Sequence, residues 1–364
     1  MSIIEETIKR VRPLDEEAIA AARGRQEELT KPSGSLGRLE HLATQVAGIM
    51  GNPLPSLSRK VVFTFAADHG VAAEGVSAYP SEVTAQMVYN FLRRGAAINV
   101  LAAHVGARVV VVDIGVAADV GEQPGLVRAK VADGTRNMAV GPAMTRSQAL
   151  EALEAGVAVL EAEMGNGIDI IGTGDMGIAN TTTSSAIVAA LTGAPVHAVT
   201  GRGTGIGPQQ LLHKVQIIER ALAVNQPDPR DPLDVLAKVG GLEIGGLAGL
   251  ILAAAANRIP VVVDGFISGA AALLAWALCP AVQPYLIAAH QSVEIGHQVT
   301  LRHLGLTPLL DLSLRLGEGT GAALGISIVE AAVRCLTEMA TFAEAQVAQA
   351  SERRETSGAP EHAG

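Results

Sequence analysis

The feature that most constrains this 364-residue chain is a short β-branched run that recurs and ends each time in glycine or a polar side chain. Residues 61–66 lead into Asp68, His69 and Gly70, and 108–112 lead into Asp113 and Gly115. Residues 169–171 lead into Gly172, Thr173, Gly174 and Asp175, and 195–199 lead into a Thr-Gly-Arg-Gly-Thr-Gly stretch. Residues 260–263 lead into Asp264 and Gly265, and 285–289 lead into His290, Gln291 and Ser292. Runs apolar on both sides suit strands of a parallel sheet covered on both faces. Helical-period stretches lie between them, at 82–104, 145–164, 181–191, 208–224, 242–256 and 291–303. Strand alternating with helix predicts an α/β fold, a doubly wound parallel sheet of about six strands. Ligands of such sheets sit beyond the carboxyl ends of the strands, so the six polar ends are expected on one functional rim.

The ends of the chain read differently. Residues 5–50 and 319–350 are helical in pattern and carry no strand, so 1–50 and 319–350 are expected to form a small helical lobe beside a 51–318 nucleotide- and base-binding domain. The polar segment 351–364 is expected to be a disordered tail. Residues 265–289 hold no charge and are long enough to span a bilayer, but Pro280 and Pro284 interrupt them, which predicts a buried helix followed by a buried strand. The N-terminus lacks a signal-peptide core, so the chain is expected in the cytoplasm without a membrane span.

Acidic residues outnumber basic ones, 36 to 27, and aromatics make up 2% of the chain. Neither a basic patch nor stacking platforms are available, which disfavours nucleic acid as a partner. Cys279 and Cys335 have no companion at metal-ligand spacing and read as two thiols in a reducing compartment.

Three glycine-rich loops carry candidate chemistry. The stretch from Thr200 to Pro208, with Gly201, Gly203 and Gly205, precedes a helix containing Lys214. It suits a single phosphate group, and equally a tight turn; it is neither a Walker motif nor a dinucleotide fingerprint. In the second loop Gly174 and Gly177 bend the chain around Asp175, and Asn180 and Thr181 can cap a helix or face a ligand. In the third, Glu318 lies between Gly317 and Gly319 within an apolar stretch. A carboxylate there can serve a helix dipole, while flanking glycines point to close backbone approach to a ligand and a catalytic role. Asp68 with His69, and His290, Glu294 and His297 on one expected helix face, match no zinc pattern and read as hydrogen-bonding groups rather than metal ligands.

Taken together, these loops resemble the nicotinate-nucleotide–dimethylbenzimidazole phosphoribosyltransferases of cobamide assembly. The matching segments are 31–40 (KPSGSLGRLE), 68–71, 82–84 with Gln86, 174–182, 225–231, 238–241, 264–266, 284–287 and 315–319. The resemblance implies a Rossmann-like homodimer that moves a phosphoribosyl group from β-nicotinate mononucleotide to 5,6-dimethylbenzimidazole. The products are α-ribazole 5′-phosphate and nicotinate, and neither cofactor nor metal takes part. It implies that Glu318 is the general base and Asp175 a candidate charge stabiliser. It also places the base pocket at Tyr79, Pro80, Gln86 and Leu316. The nucleotide contacts it implies are Gly174, Gly177, Asn180, Thr181, Gly201, Gly203, Gly205, Lys214 and Asp264. Some members carry glutamate where this chain has Asp175. Transfer to another aromatic base or a phenol, and a non-catalytic nucleotide-binding subunit, are the competing readings.

Overall fold

A computed structural model describes residues 2–348; the expected tail lies outside them. Six strands, β1 (Lys60–Ala67), β2 (Ala107–Gly115), β3 (Leu126–Arg128), β4 (Ile170–Met176), β5 (Val261–Val263) and β6 (Leu286–Ala288), form one sheet in the order β3-β2-β1-β4-β5-β6. Every pairing is parallel. The α/β, doubly wound architecture is the one expected. Its strand order reverses between β1 and β4, the place where such sheets open a crevice.

Two of the expected elements differ. Residues 195–199 are not a strand: Val196–Val199 is one turn of helix, in which the Thr200 hydroxyl donates to the Val196 carbonyl at 2.7 Å. Of its apolar side chains only Val199 is buried, so the run lacks the two covered faces that a central strand requires. The sixth strand is instead β3, three residues at the sheet edge with no apolar run to announce them.

The expected helix over 82–104 breaks into Glu82–Leu92 and Ala97–His104. Arg94 takes a left-handed φ of 62° at the break, which ends the first helix. The helix expected over 291–303 begins late, at Ile295–Leu304, because His290 still pairs in a β-bridge with Leu310. His290, Glu294 and His297 therefore do not share one helix face.

Helices cover both sides of the sheet. Leu242–Ala256, buried at all but its last residue, packs between Arg146–Met164 and Phe266–Leu278 on one side. On the other side Thr320–Glu338 packs on Arg38–Met50 and on β4. The chain ends meet there: Leu29 bridges Thr341, and the Arg25 guanidinium donates to the Leu336 carbonyl at 2.8 Å. Ala43, Val46 and Leu336 from these terminal helices share a core with Val62 and Val262 of the sheet.

The uncharged stretch is the helix Phe266–Leu278, a turn of 3-10 helix Pro280–Tyr285 and β6, as expected. Among the described residues Thr320–Glu338 alone is long and apolar enough to cross a membrane, and more than half of it is buried within the fold. Cys279 is buried and Cys335 half-buried, both as free thiols.

Candidate active site

Beyond the carboxyl ends of β4, β5 and β6 lies a cavity of about 470 Å³. Asp175 and Met176 enter it from the end of β4, Gly265 and Phe266 follow β5, and His290 follows β6. Tyr79, Val83, Met87 and Leu316 line it together with Thr181, Gly203 and Thr204, and the Thr204 hydroxyl accepts the Ala78 N–H at 3.1 Å. The lining thus combines apolar and aromatic side chains with hydroxyl groups and glycine backbone.

Glu318 lines the cavity while only 5% exposed. Its backbone is held in a left-handed run, with φ of 81° at Gly317, 63° at Glu318 and 95° at Gly319. That conformation costs a non-glycine residue of order 1–3 kcal/mol and persists only where the surroundings enforce it. Here they do: the Glu318 N–H donates to the Asp175 carbonyl at 3.1 Å, and the Thr64 hydroxyl donates to the Glu318 carbonyl at 2.9 Å. The glycines make room for the protein's own atoms. A Cβ on Gly174 would overlap the Glu318 carbonyl, and one on Gly319 would press on Val62 and Thr173.

The Glu318 carboxylate accepts the Ile98 N–H at 3.3 Å, in the first turn of Ala97–His104. Burial pushes its pKa above the ordinary glutamate range; the Ile98 N–H works against this shift and the Asp264 charge adds to it. A carboxyl so tuned can take a proton from a weakly acidic partner near neutral pH.

Asp175 is 5% exposed, with Oδ2 accepting the Asn180 amide at 2.9 Å. Burial drives its pKa well up, helped by the Asp264, Glu243 and Glu318 charges and opposed by Asn180. Asp264 is fully buried and does not line the cavity. Its carboxylate accepts the Gly319 N–H at 3.2 Å and the Ala322 N–H at 2.9 Å, capping Thr320–Glu338 and holding the Glu318 turn.

Gly203 lines the cavity, whereas buried Gly201 and exposed Gly205 stand outside its lining. Lys214, 1% exposed, sits beneath this loop and donates to the Thr181 hydroxyl at 2.8 Å and the Gly201 carbonyl at 3.3 Å. Burial lowers its pKa to about 8, with Glu294 partly restoring it.

Of the sequence-predicted residues the structure gathers Glu318, Asp175, Gly177, Asn180, Thr181, Gly203, Tyr79 and Leu316 around one cavity. Gly174 and Lys214 back it, while Pro80 and Gln86 are exposed and stand outside its lining. His290, Ser292 and Glu294 line it without having been assigned to a ligand. Their signal was the polar end of the β6 run, which gives no spacing that points to chemistry.

Two further buried histidines bond to the protein. His69 Nε2 meets Glu243 at 2.7 Å and its Nδ1 meets the Thr183 hydroxyl at 3.1 Å. His297 Nδ1 accepts the Ser292 N–H at 3.0 Å, and burial, with His290 beside it, lowers its pKa to about 3.

Comparison with known proteins gives the family. A sequence model described as "Phosphoribosyltransferase" matches residues 11–347. A Roseiflexus sp. (strain RS-1) protein named nicotinate-nucleotide–dimethylbenzimidazole phosphoribosyltransferase is 62% identical over 347 residues, covering 95% of this chain and 98% of that one. A Geobacter sulfurreducens protein of the same name is 61% identical over 349 residues, with 96% and 99% covered. The crystal structure of CobT from Thermus thermophilus superposes with a TM-score of 0.89 at 49% identity, covering 92% of this chain and all of that one. A switch-point cavity with a buried carboxyl, on a sequence alike over nearly its full length, makes this chain a member of the nicotinate-nucleotide–dimethylbenzimidazole phosphoribosyltransferase family.

Proposed function

We propose that the chain transfers the 5-phosphoribosyl group of β-nicotinate mononucleotide to 5,6-dimethylbenzimidazole, giving α-ribazole 5′-phosphate and nicotinate. The observation that carries this reading is the Glu318 carboxyl. It is buried, anchored at a helix start, and placed on a cavity with an aromatic and apolar wall.

The chemistry needs little more than that. Nicotinate in its nucleotide is a pyridinium and leaves as a neutral ring nitrogen, so departure requires no general acid. The azole must lose its N–H proton as its other nitrogen bonds to the anomeric carbon, and Glu318 accepts that proton. One positioned base supplies typically ~10²–10⁴-fold, or about 3–5 kcal/mol of barrier. Holding the two rings on opposite faces of the ribose supplies much of the rest and accounts for inversion from β to α.

Asp175 answers the positive charge of pyridinium and oxocarbenium. Burial and the Asp264 and Glu243 charges raise its pKa, and a cationic ring arriving next to it favours the ionised form. The 5′-phosphate fits the start of Asn180–Thr192 beside Lys214, whose buried ammonium reaches the Thr181 hydroxyl. Leu316 and Tyr79 fit the benzimidazole. The homodimer, the cytoplasmic location and the division into a 51–318 body with a terminal helical lobe belong to the same proposal.

A competition assay tests it. With β-nicotinate mononucleotide and a mixture of 5,6-dimethylbenzimidazole, a purine and a phenol, α-ribazole 5′-phosphate is the expected product. Exclusive formation of another α-nucleotide, or none, overturns the reading.

A further inference from the structure

The segment that brings Tyr79 to the cavity is held by a helix whose grip the transfer chemistry has not used. Gly70–Glu74 is a short stretch of 3-10 helix, and Val76, just beyond it, is buried in the core. From Ala78 to Ser81 the chain is exposed, and Tyr79 itself is 54% exposed. Burial therefore does not fix where the Tyr79 ring stands.

Hydrogen bonds from the helix Pro208–Asn225 and the loop before it do. The Gln210 amide donates to the Gly75 carbonyl at 3.0 Å and to the Ser77 carbonyl at 3.4 Å. His213 Nε2 donates to the Glu74 carbonyl at 2.7 Å, and the Arg220 guanidinium pairs with the Glu74 carboxylate at 2.6 Å. These three side chains stand at i, i+3 and i+10, on one face of the helix. The Thr204 hydroxyl, in the glycine loop ahead of the helix, accepts the Ala78 N–H at 3.1 Å. Apart from the Tyr79 N–H, which donates to the Ser77 hydroxyl within the segment, the hydrogen bonds of residues 77–79 go to Gln210 and Thr204 among the described residues.

That grip has a consequence for binding. An exposed aromatic side chain contributes affinity only in the conformer that meets the ligand, and the apparent affinity falls with the fraction of molecules in that conformer. The helix that holds the segment also carries Lys214, one turn beyond Gln210.

We propose that Gln210 is a positioning residue for the acceptor base. Together with Thr204 it holds the Tyr79 segment in the conformer that lines the cavity, and so sets the affinity for the azole without touching it. This rests on the phosphoribosyl-transfer reading for the identity of the azole.

The test is Gln210→Met, which keeps the length of the side chain and removes its donors. KM for 5,6-dimethylbenzimidazole is expected to rise roughly 3- to 10-fold, as loss of a neutral hydrogen bond gives. KM for β-nicotinate mononucleotide and kcat should change by less than about twofold. If Gln210 merely stabilises its helix, Lys214 loosens with it and the nucleotide KM rises; that result overturns the proposal, as does an unmoved KM for the azole. Tyr79→Ala should raise the azole KM at least as far, and adding Gln210→Met to it should raise that KM no further, because two changes acting through one contact do not add. Full additivity, or no effect of Tyr79→Ala, overturns the proposal. Hydrogen exchange reads the contact without turnover: the Ala78 N–H should exchange roughly 3- to 10-fold faster in Gln210→Met, with residues 208–225 unchanged. Unchanged exchange at Ala78 overturns it too. Should wild type form no α-ribazole 5′-phosphate, the transfer reading falls, and calorimetric affinity for the azole in wild type and Gln210→Met still decides this one. A wild type that binds no azole overturns both.

Discussion

The turn around Glu318 and the loop from Gly201 to Gly205 look alike in the sequence, each a polar side chain or two set among glycines. In the structure they are opposites. The Glu318 turn is buried and tied by Thr64, the Asp175 carbonyl, Asp264 and Ile98, and its glycines yield space to neighbouring protein atoms. In the other loop Arg202, Thr204 and Gly205 are exposed, and only Gly201 and Gly203 are buried, over Lys214 and Glu294. One region holds its carboxyl by bonds from four separate segments; the other bonds mainly to Glu294 and Lys214 beneath it and leaves its outer residues to solvent. Glycine content reports a tight backbone and leaves open whether protein or ligand takes the space.

Four experiments break or sharpen that contrast. Glu318→Gln keeps shape and loses basicity, so turnover should fall by ~10²–10⁴-fold with nucleotide binding retained. Steady-state rates alongside calorimetry check this, and a near wild-type rate removes Glu318 as the base.

The pH profile comes next. Only ionised Glu318 accepts a proton, and burial has raised its pKa, so kcat/KM for the azole should fall about tenfold per pH unit on the acid side. The break should lie above the ordinary glutamate range and be absent from the residual activity of Glu318→Gln.

Lys214→Ala should raise KM for the nucleotide roughly tenfold at similar kcat, as loss of a uniform binding contact does. In wild type the same KM should climb above pH 8, where the buried ammonium loses its proton. A flat KM in both measurements takes the phosphate away from Lys214.

The smallest effects concern the glycines themselves. Gly174→Ala forces a methyl into the Glu318 carbonyl and should cost about 1–3 kcal/mol of stability, read by denaturant titration. Gly205→Ala has φ of 101° but meets only the end of Arg315, at 3.9 Å, and should cost about 1 kcal/mol. Equal losses at the two positions erase the distinction.

Legibility followed burial. Residues 61–66 and 260–263 were readable as strands because both their faces are covered, so apolar residues run without alternation. The turn at 196–199 misled because valines carry strand propensity even where tertiary packing selects a helix. At Arg94 the break in the 82–104 pattern carries no proline. Yet it creates the helix start whose Ile98 N–H anchors Glu318, so a boundary invisible in the periodicity builds part of the site. The resemblance implied Asp264 as a nucleotide contact; in the structure its carboxylate lies outside the cavity lining and accepts the Gly319 and Ala322 N–H groups.

The amino-acid order alone determined the alternation of strand and helix, the rim on which ligands sit, and the family, because these depend on local periodicity and on short motifs kept in sequence. Only the tertiary structure decided which carboxyls are buried together, which of them faces the cavity, and which polar atoms lack a partner. Those properties arise between residues as far apart as Thr64, Asp175, Asp264 and Glu318, and the free energy of a buried charge depends on every neighbour around it.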